Sequence, residues 1–272
     1  MGILNVTPDS FSDGGRFVDH GDAVGHGLRL VAEGADLVDV GGESTRPGAA
    51  PVDEATELER VVPVVAALAP HVRVSIDTAK SAVADAAVAA GATVINDVTS
   101  SLHRVAARNG VGWVAMHMQG EPRTMQVEPT YHDVVAEVRE HLLARAEEAR
   151  GAGVAEVWID PGIGFGKTYE HNWALLRALP ELCAAGVPVA VGTSRKAFLG
   201  AAMAAADGAT GPTPADDRLE GSVAIAVHAA ASGVAMVRVH DVAATVAALD
   251  AARTMIRPAD AGPDAREAAT WP

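Results

Sequence analysis

Eight short apolar runs in this chain finish on residues that can do chemistry: Asn5, Gly41 with Gly42 and Glu43, Asp77, Asn96, His117, Asp160, Ser194, and the pair Arg238 and His240. Each alone has a bland reading, because Asp, Asn and Ser cap helices that follow strands. Capping accounts for Thr78, Asp53 and Asp241. It accounts less well for Asp77, Asn96 and Asp160, which fall inside the strand pattern, in phase with one face. Buried carboxylates need partners, so several converging on one mouth imply a ligand rich in hydrogen-bond donors.

Cations complete the set. In "GTSRKAFLG", Arg195 and Lys196 stand where a helix should begin. The macrodipole disfavours cations there unless an anion or polar ligand lies beside them; a solvated basic pair is the alternative. In "MVRVHD", Arg238 and His240 are two apart on a strand and share a face. "GGESTRPGA" adds Arg46 in a glycine-rich loop with Ser44 and Thr45. The result is a positive rim over acids and amides, suited to a neutral donor-rich ring at depth and a phosphate at the surface. "DPGIGFGK" is not a phosphate loop, since Gly162 is one residue short of the required frame. Its glycines read as giving close backbone approach under a flat ring, with Phe165 as a wall.

These residues must be positioned by a repeated unit. Gly34, Gly91, Gly110, Gly153, Gly186 and Gly233 each separate an apparent helix from a β-rich run, the pattern of helix, left-handed cap and strand. "VRVSIDT" after Pro70 and "GILNVT" at the start bring the total to eight strands. Segments such as "EATELERVVPVVAALA" carry apolar residues at helical spacing. Strand then helix, repeated, implies a parallel sheet, and eight units in about 250 residues fit an α/β fold of the (β/α)8 TIM barrel type. A doubly wound open sheet competes less well: no G-x-G-x-x-G follows the first strand, and nothing marks a strand-order switch. A barrel would gather every polar strand end on one face. A single domain is expected over residues 1–257, with 258–272, rich in Pro, Ala and charge, as a disordered tail.

Of the 272 residues, 49% are hydrophobic, enough for a large core, and the formal net charge of -14 argues against a nucleic-acid partner. An anionic ligand would need local cations or a metal ion to overcome that field. No apolar run reaches the roughly 20 residues of a membrane span, and Met1 enters a strand without a basic leader. A cytoplasmic protein with no membrane partner is expected. The single cysteine, Cys183, allows no internal disulfide, suits a reducing compartment and reads as core packing.

The stretches "GILNVTPDSFSDGG", "VDVGGESTRPGA", "SIDT", "IND", "MHMQGEPRTMQ", "DPGIGFGKT", "GTSRKAFLG" and "RVHD" resemble, in order and from the second residue to about 241, the dihydropteroate synthase family of the folate pathway. The resemblance implies condensation of 4-aminobenzoate with (7,8-dihydropterin-6-yl)methyl diphosphate by a dissociative route in which diphosphate leaves first. It implies a pterin site of Asp77, Asn96, Val98, Met116, Asp160, Phe165, Gly192, Lys196 and Arg238, with Asp77, Lys196, Arg238 and His240 catalytic. It implies diphosphate and 4-aminobenzoate contacts from Phe11, Thr45, Arg46, Pro47, Ser194, Arg195 and His240. Mg2+ would bind with the diphosphate at Asn5, with Asp13 joining through the first loop. That polar loop would close over the reactive cation, exclude water and reopen. Sulfonamide sensitivity and a homodimer built on helices near the seventh and eighth units, including "EGSVAIAVHAAASG", are further implications.

Two departures stand out. The family usually carries a short β-hairpin before the first strand, which Met1 here abuts, so the barrel floor is expected to be closed another way or the start to lie upstream. The loop after "INDV" is short where the family has a glycine-rich one. A pterin-dependent methyltransferase and a catalytically silent pterin-binding paralogue are the competing readings. The first has no use for a diphosphate cluster; the second leaves the filled polar positions without a purpose.

Overall fold

The computed structural model describes residues 1–7, 19–44 and 48–256. Phe11, Asp13, Thr45, Arg46, Pro47 and the tail from residue 258 lie outside the described residues. Six strands pair in parallel in chain order: β1 (Gly2–Asn5), β2 (Leu37–Gly41), β3 (Arg73–Asp77), β4 (Val94–Asp97), β5 (Gly112–Met116) and β6 (Val157–Asp160). β7 (Ala190–Gly192) pairs with β8 (Met236–Arg238). Two bridges, Ile159 to Val189 and Gly2 to Val239, join the two sets. There Ile159 N donates to Pro188 O at 3.0 Å and Ile3 N to Val239 O at 2.9 Å. The eight strands therefore close on themselves, and the expected barrel forms without a free edge.

Around the strands run α1 (His20–Ala32), α2 (Glu54–Leu68), α3 (Ser81–Ala89), α4 (His103–Asn109), α5 (Val134–Gly151), α6 (Tyr169–Arg177), α7 (Leu179–Cys183), α8 (Ala197–Ala206), α9 (Leu219–Ala231) and α10 (Val242–Ile256). All six punctuating glycines adopt positive φ, from 66° at Gly110 to 112° at Gly91, a region that costs glycine little. Asp53 caps α2 as expected, accepting from Thr56 N at 2.9 Å. Thr78 does not cap α3, whose N-cap position is Lys80; its hydroxyl donates to Glu57 Oε1 at 2.7 Å instead.

Strand alternation produces two cores. Outward residues such as Leu4, Val38, Val40, Val74, Ile76, Ile95 and Ile159 pack under the helices. Inward residues Leu37, Val94, Val114, Trp158 and Ala190, with Met1 and Met236, fill the lower barrel. The polar strand ends sit above this apolar plug, which is what keeps their charges at the mouth. No helix among the described residues is long and apolar enough to cross a membrane.

Trp158 is the largest side chain of the inner plug and is 6% exposed. Trp158→Ala is expected to lower unfolding free energy by about 3–5 kcal/mol in urea titration; an unchanged midpoint would show that the plug does not hold the barrel.

Candidate active site

Parallel register brings the polar ends level. Asn5 pairs with Gly41, Gly41 with Asp77 and Asp77 with Asn96, a continuous row across four strands. Met116 pairs with Asp160, and Gly192 with Arg238. The expected inward facing of Asp77, Asn96 and Asp160 is therefore realised at one mouth.

Arg238 is the hub. Its Nε donates to Asp39 Oδ2 at 2.6 Å and its Nη2 to Asp77 Oδ2 at 2.8 Å. Asn96 Nδ2 donates to the same Asp39 oxygen at 2.9 Å. Asp39 is fully buried in the middle of β2. Burial works against the guanidinium charge, but Asp39 and Asp77 outweigh it and hold the Arg238 pKa above its ordinary value. Asp77 is pushed up to about 7, chiefly by burial; Arg238 opposes the rise, while Asp39, Glu57 and Asp97 add to it.

The β6 end supplies a second acid. Asp160 accepts from Gly162 N at 2.7 Å, and burial raises its pKa against the pull of Lys196. Lys196, at the N-cap position of α8, turns inward, donates to Ile163 O and lies 4.4 Å from the centre of the Phe165 ring. Burial lowers its pKa to about 8, with Asp160 opposing. It is not a solvated cation.

Two glycines of "DPGIGFGK" give close approach to the protein's own backbone, while Gly164 faces the Lys196 side chain, where a Cβ would lie 3.2 Å from Lys196 Cδ. A Cβ on Gly162 would lie 1.9 Å from His117 O, and one on Gly166 2.2 Å from Gln119 O. The β6 and β5 loops thus press together, and Lys167 pins them. Its Nζ is 2.9 Å from His117 Nδ1 and donates to Phe165 O at 3.0 Å. Burial drops the Lys167 pKa to about 7, although Asp160 raises it. Burial, then Lys167 and His141, lowers His117 to about 3, so its ring is neutral and Nδ1 accepts.

At the β7 and β8 ends, Ser194 Oγ accepts from His240 N at 3.1 Å and lies 3.0 Å from His240 Nδ1. Arg195 finds its anion within the protein: it forks onto Asp241, with Nε to Oδ2 at 3.0 Å and Nη2 to Oδ1 at 2.5 Å. The Asp241 carboxylate, expected as a helix cap, is instead a partner of Arg195. Arg195 has φ of 61°, and its N–H donates to Ser222 Oγ at 3.0 Å.

The short loop after β4 is built on Asp97, which accepts from Thr99 N at 2.9 Å, Leu102 N at 2.6 Å and Trp113 Nε1 at 3.1 Å. Ser100 Oγ reaches Met116 O at 2.8 Å, so the loop holds Val98 and Met116, both buried, in one wall. On the opposite side Lys80 bridges Glu43 and the fully buried Glu57.

Sequence reasoning passed over Asp39, Glu57, Lys80 and the Lys167–His117 pair. Two signals were available: Asp39 interrupts "LVDV" in the inward phase, and Glu57 lies on the apolar stripe with Val61, Val64, Val65 and Leu68. Asn5, half-buried, offers an amide oxygen at the mouth. No group of three or more His, Cys, Asp or Glu among the described residues could hold a metal. An oxygen-seeking ion that keeps waters and substrate phosphates as ligands fits such a sparse donor set.

Fold and site together define an α/β barrel whose mouth sets two desolvated acids and an amide among inward cations. The sequence profile of the pterin binding enzyme family matches residues 1–240. The dihydropteroate synthase of Mycobacterium leprae (strain TN) is 53% identical over 262 residues, covering 92% of this chain and 90% of that protein. That of Escherichia coli (strain K12) is 46% identical over 257 residues, covering 92% and 88%. A solved Xanthomonas albilineans dihydropteroate synthase with 4-aminobenzoic acid superposes with TM-score 0.85 at 46% identity, covering 94% of this chain and 93% of that one. A Yersinia pestis dihydropteroate synthase with a sulfonamide drug gives TM-score 0.85 at 44% identity, covering 93% and 92%. This chain belongs to the pterin binding enzyme family.

Lys167 yields a pH prediction. Unfolded, its amine holds a proton to about pH 10; folded, it releases it near 7. In that window the unfolded chain binds more protons, so this group's contribution to stability rises with pH. Urea midpoints of the wild type relative to Lys167→Met are expected to climb between pH 7 and 9. A flat difference would mean that the amine stays protonated in the fold.

Proposed function

We propose that this protein is a dihydropteroate synthase, joining 4-aminobenzoate to (7,8-dihydropterin-6-yl)methyl diphosphate and releasing 7,8-dihydropteroate and diphosphate. The observation that carries the reading is the pair of desolvated acids, buried Asp160 and mostly buried Asp77, set with Asn96 beneath Lys196 and Arg238. Burial has stripped both acids of water, and a ring edge rich in N–H donors supplies what they lack.

In this reading the Asp160 carboxylate takes the two donors of the pterin's guanidine-like edge, and Asn96 uses its free Oδ1 and second N–H on neighbouring ring atoms. Lys196 reaches the ring oxo group. Met116, Val98, Phe165 and Gly192 wall the ring. Arg238 lies along the ring face and, with Ser194 and His240, receives the diphosphate. Arg195, steadied by Asp241, borders the 4-aminobenzoate carboxylate. Mg2+, held by Asn5 and the substrate's phosphates, would supply charge neutralisation for the leaving group.

The bond between the pterin methylene carbon and the diphosphate oxygen breaks heterolytically, and diphosphate keeps the electron pair. The ionised Asp77 carboxylate stabilises the resulting cation without bonding to it. The aniline lone pair then forms the new C–N bond, and the nitrogen loses a proton. Sulfonamides, which share the arylamine and an anionic head, compete for the 4-aminobenzoate position, and a relative has been solved with such a drug. A homodimer is part of the proposal, supported by the exposed small apolar residues Ala224, Ala243 and Ala247 of α9 and α10. A cytoplasmic setting is supported by the lone free thiol of Cys183.

Diphosphate release with Mg2+, the pterin diphosphate and 4-aminobenzoate is expected from the wild type. Asp77→Ala should lose about 10²–10³-fold in kcat. Because Asp77 acts ionised and is pushed up to about 7 in the ligand-free protein, kcat/KM for the pterin diphosphate should fall as pH drops below that value. Tight pterin binding without turnover would leave the silent paralogue as the better account.

A further inference from the structure

Asp39 is the most deeply placed charge in the mouth and touches two of the proposed pterin-site residues. One oxygen, Oδ2, takes both Arg238 Nε at 2.6 Å and Asn96 Nδ2 at 2.9 Å. Its other oxygen, Oδ1, is buried without a protein partner. β2 holds it rigidly: Asp39 pairs with Ile3 on one side and Ser75 on the other, one layer below the row of Asn5, Gly41, Asp77 and Asn96.

A carboxylate can only accept, and this has two consequences. The Asn96 amide must turn its NH2 group toward β2, because the flipped amide would set a carbonyl lone pair against a buried anion. Asn96 Oδ1 is then committed to the ligand side, beside a single remaining N–H. In the same way Asp39 and Asp77 together occupy the Nε and Nη2 edge of Arg238. That fixes the guanidinium plane and leaves its Nη1 end for a ligand.

We propose that Asp39 is the positioning residue of this site, setting through one oxygen both the amide orientation of Asn96 and the plane of Arg238, and so selecting a ring that offers an N–H donor to Asn96 Oδ1. The proposal rests on the pterin reading of the mouth and assigns Asp39 no contact with the reacting atoms. 4-Aminobenzoate binds without using this pair, so the effect is confined to the pterin substrate.

The test compares purified wild type, Asp39→Asn, the smaller Asp39→Ser, and Ser75→Ala, a control in the same interior layer whose hydroxyl bonds neither Asn96 nor Arg238. Diphosphate release is followed while each substrate is varied. Both Asp39 variants are expected to lose about 10- to 100-fold in kcat/KM for the pterin diphosphate, mostly through KM. The KM for 4-aminobenzoate and the Ser75→Ala enzyme should stay within about twofold of wild type.

A pH profile supplies a readout that misfolding would not imitate. The groups that face Asp77 are Arg238 from β8, Asp39 from β2, Asp97 from β4 and Glu57 from α2. Replacing Asp39 removes a like charge, so the acid limb of kcat/KM for the pterin diphosphate should move to lower pH. Either soluble Asp39 variant decides. A pterin KM within twofold of wild type, an equal rise in both KM values, or an unmoved acid limb would overturn the proposal. An inactive wild type would instead refute the synthase reading, and pterin affinity by calorimetry, wild type against Asp39→Asn, would then decide the positioning role alone.

Discussion

One guanidinium inside a barrel governs this molecule. Arg238 rises from β8 into an interior otherwise closed by apolar side chains, where an unpaired cation would be prohibitive. Asp39 and Asp77, from β2 and β3, neutralise it across the barrel. This pairing ties strands that are distant in sequence, with Arg238 199 positions after Asp39 and 161 after Asp77. Burial, with a smaller push from Asp39, outweighs the pull of Arg238, so Asp77 is held near the point of titration instead of deep in its charged form.

The same desolvation shapes the other half of the mouth. Lys196 and Asp160 are both drawn toward neutrality by burial and restrained by one another. Groups in that condition make strong hydrogen bonds with a ring whose edges alternate donors and acceptors, because no shell of water has to be displaced first. The apolar plug below, from Leu37 to Met236, excludes water from beneath, and the Met116 and Val98 wall excludes it from one side. The proposed carbocation route needs that dryness.

Holding such a mouth open demands supports that never touch a ligand. Lys167 joins the His117 and Phe165 carbonyls, and Asp97 gathers the loop after β4. Lys80 clamps Glu43 to Glu57, and Asp241 fixes Arg195. Each is a buried or half-buried charge satisfied within the protein, and each lies between the last residue of a strand and the helix that follows it. Their electrostatic cost is offset by the burial of the surrounding apolar shell.

The sequence alone determined the order of elements, because glycine punctuation and alternation are local: a positive φ after a helix and an inward residue every second position are set by near neighbours. It also determined that Asp77, Asn96 and Asp160 face inward and that Lys196 and Arg238 carry the positive charge. Only the tertiary structure decided who pairs with whom. Arg195 looked like a cation awaiting a ligand until Asp241, 46 residues on, supplied its anion. Gly162 and Gly166 looked like part of a ring cradle until the His117 and Gln119 carbonyls were seen against them. Asp39, passed over in the sequence, gained its place only when barrel closure brought β8 across to it. Pairing across the barrel depends on register and closure, long-range quantities that no window of residues contains.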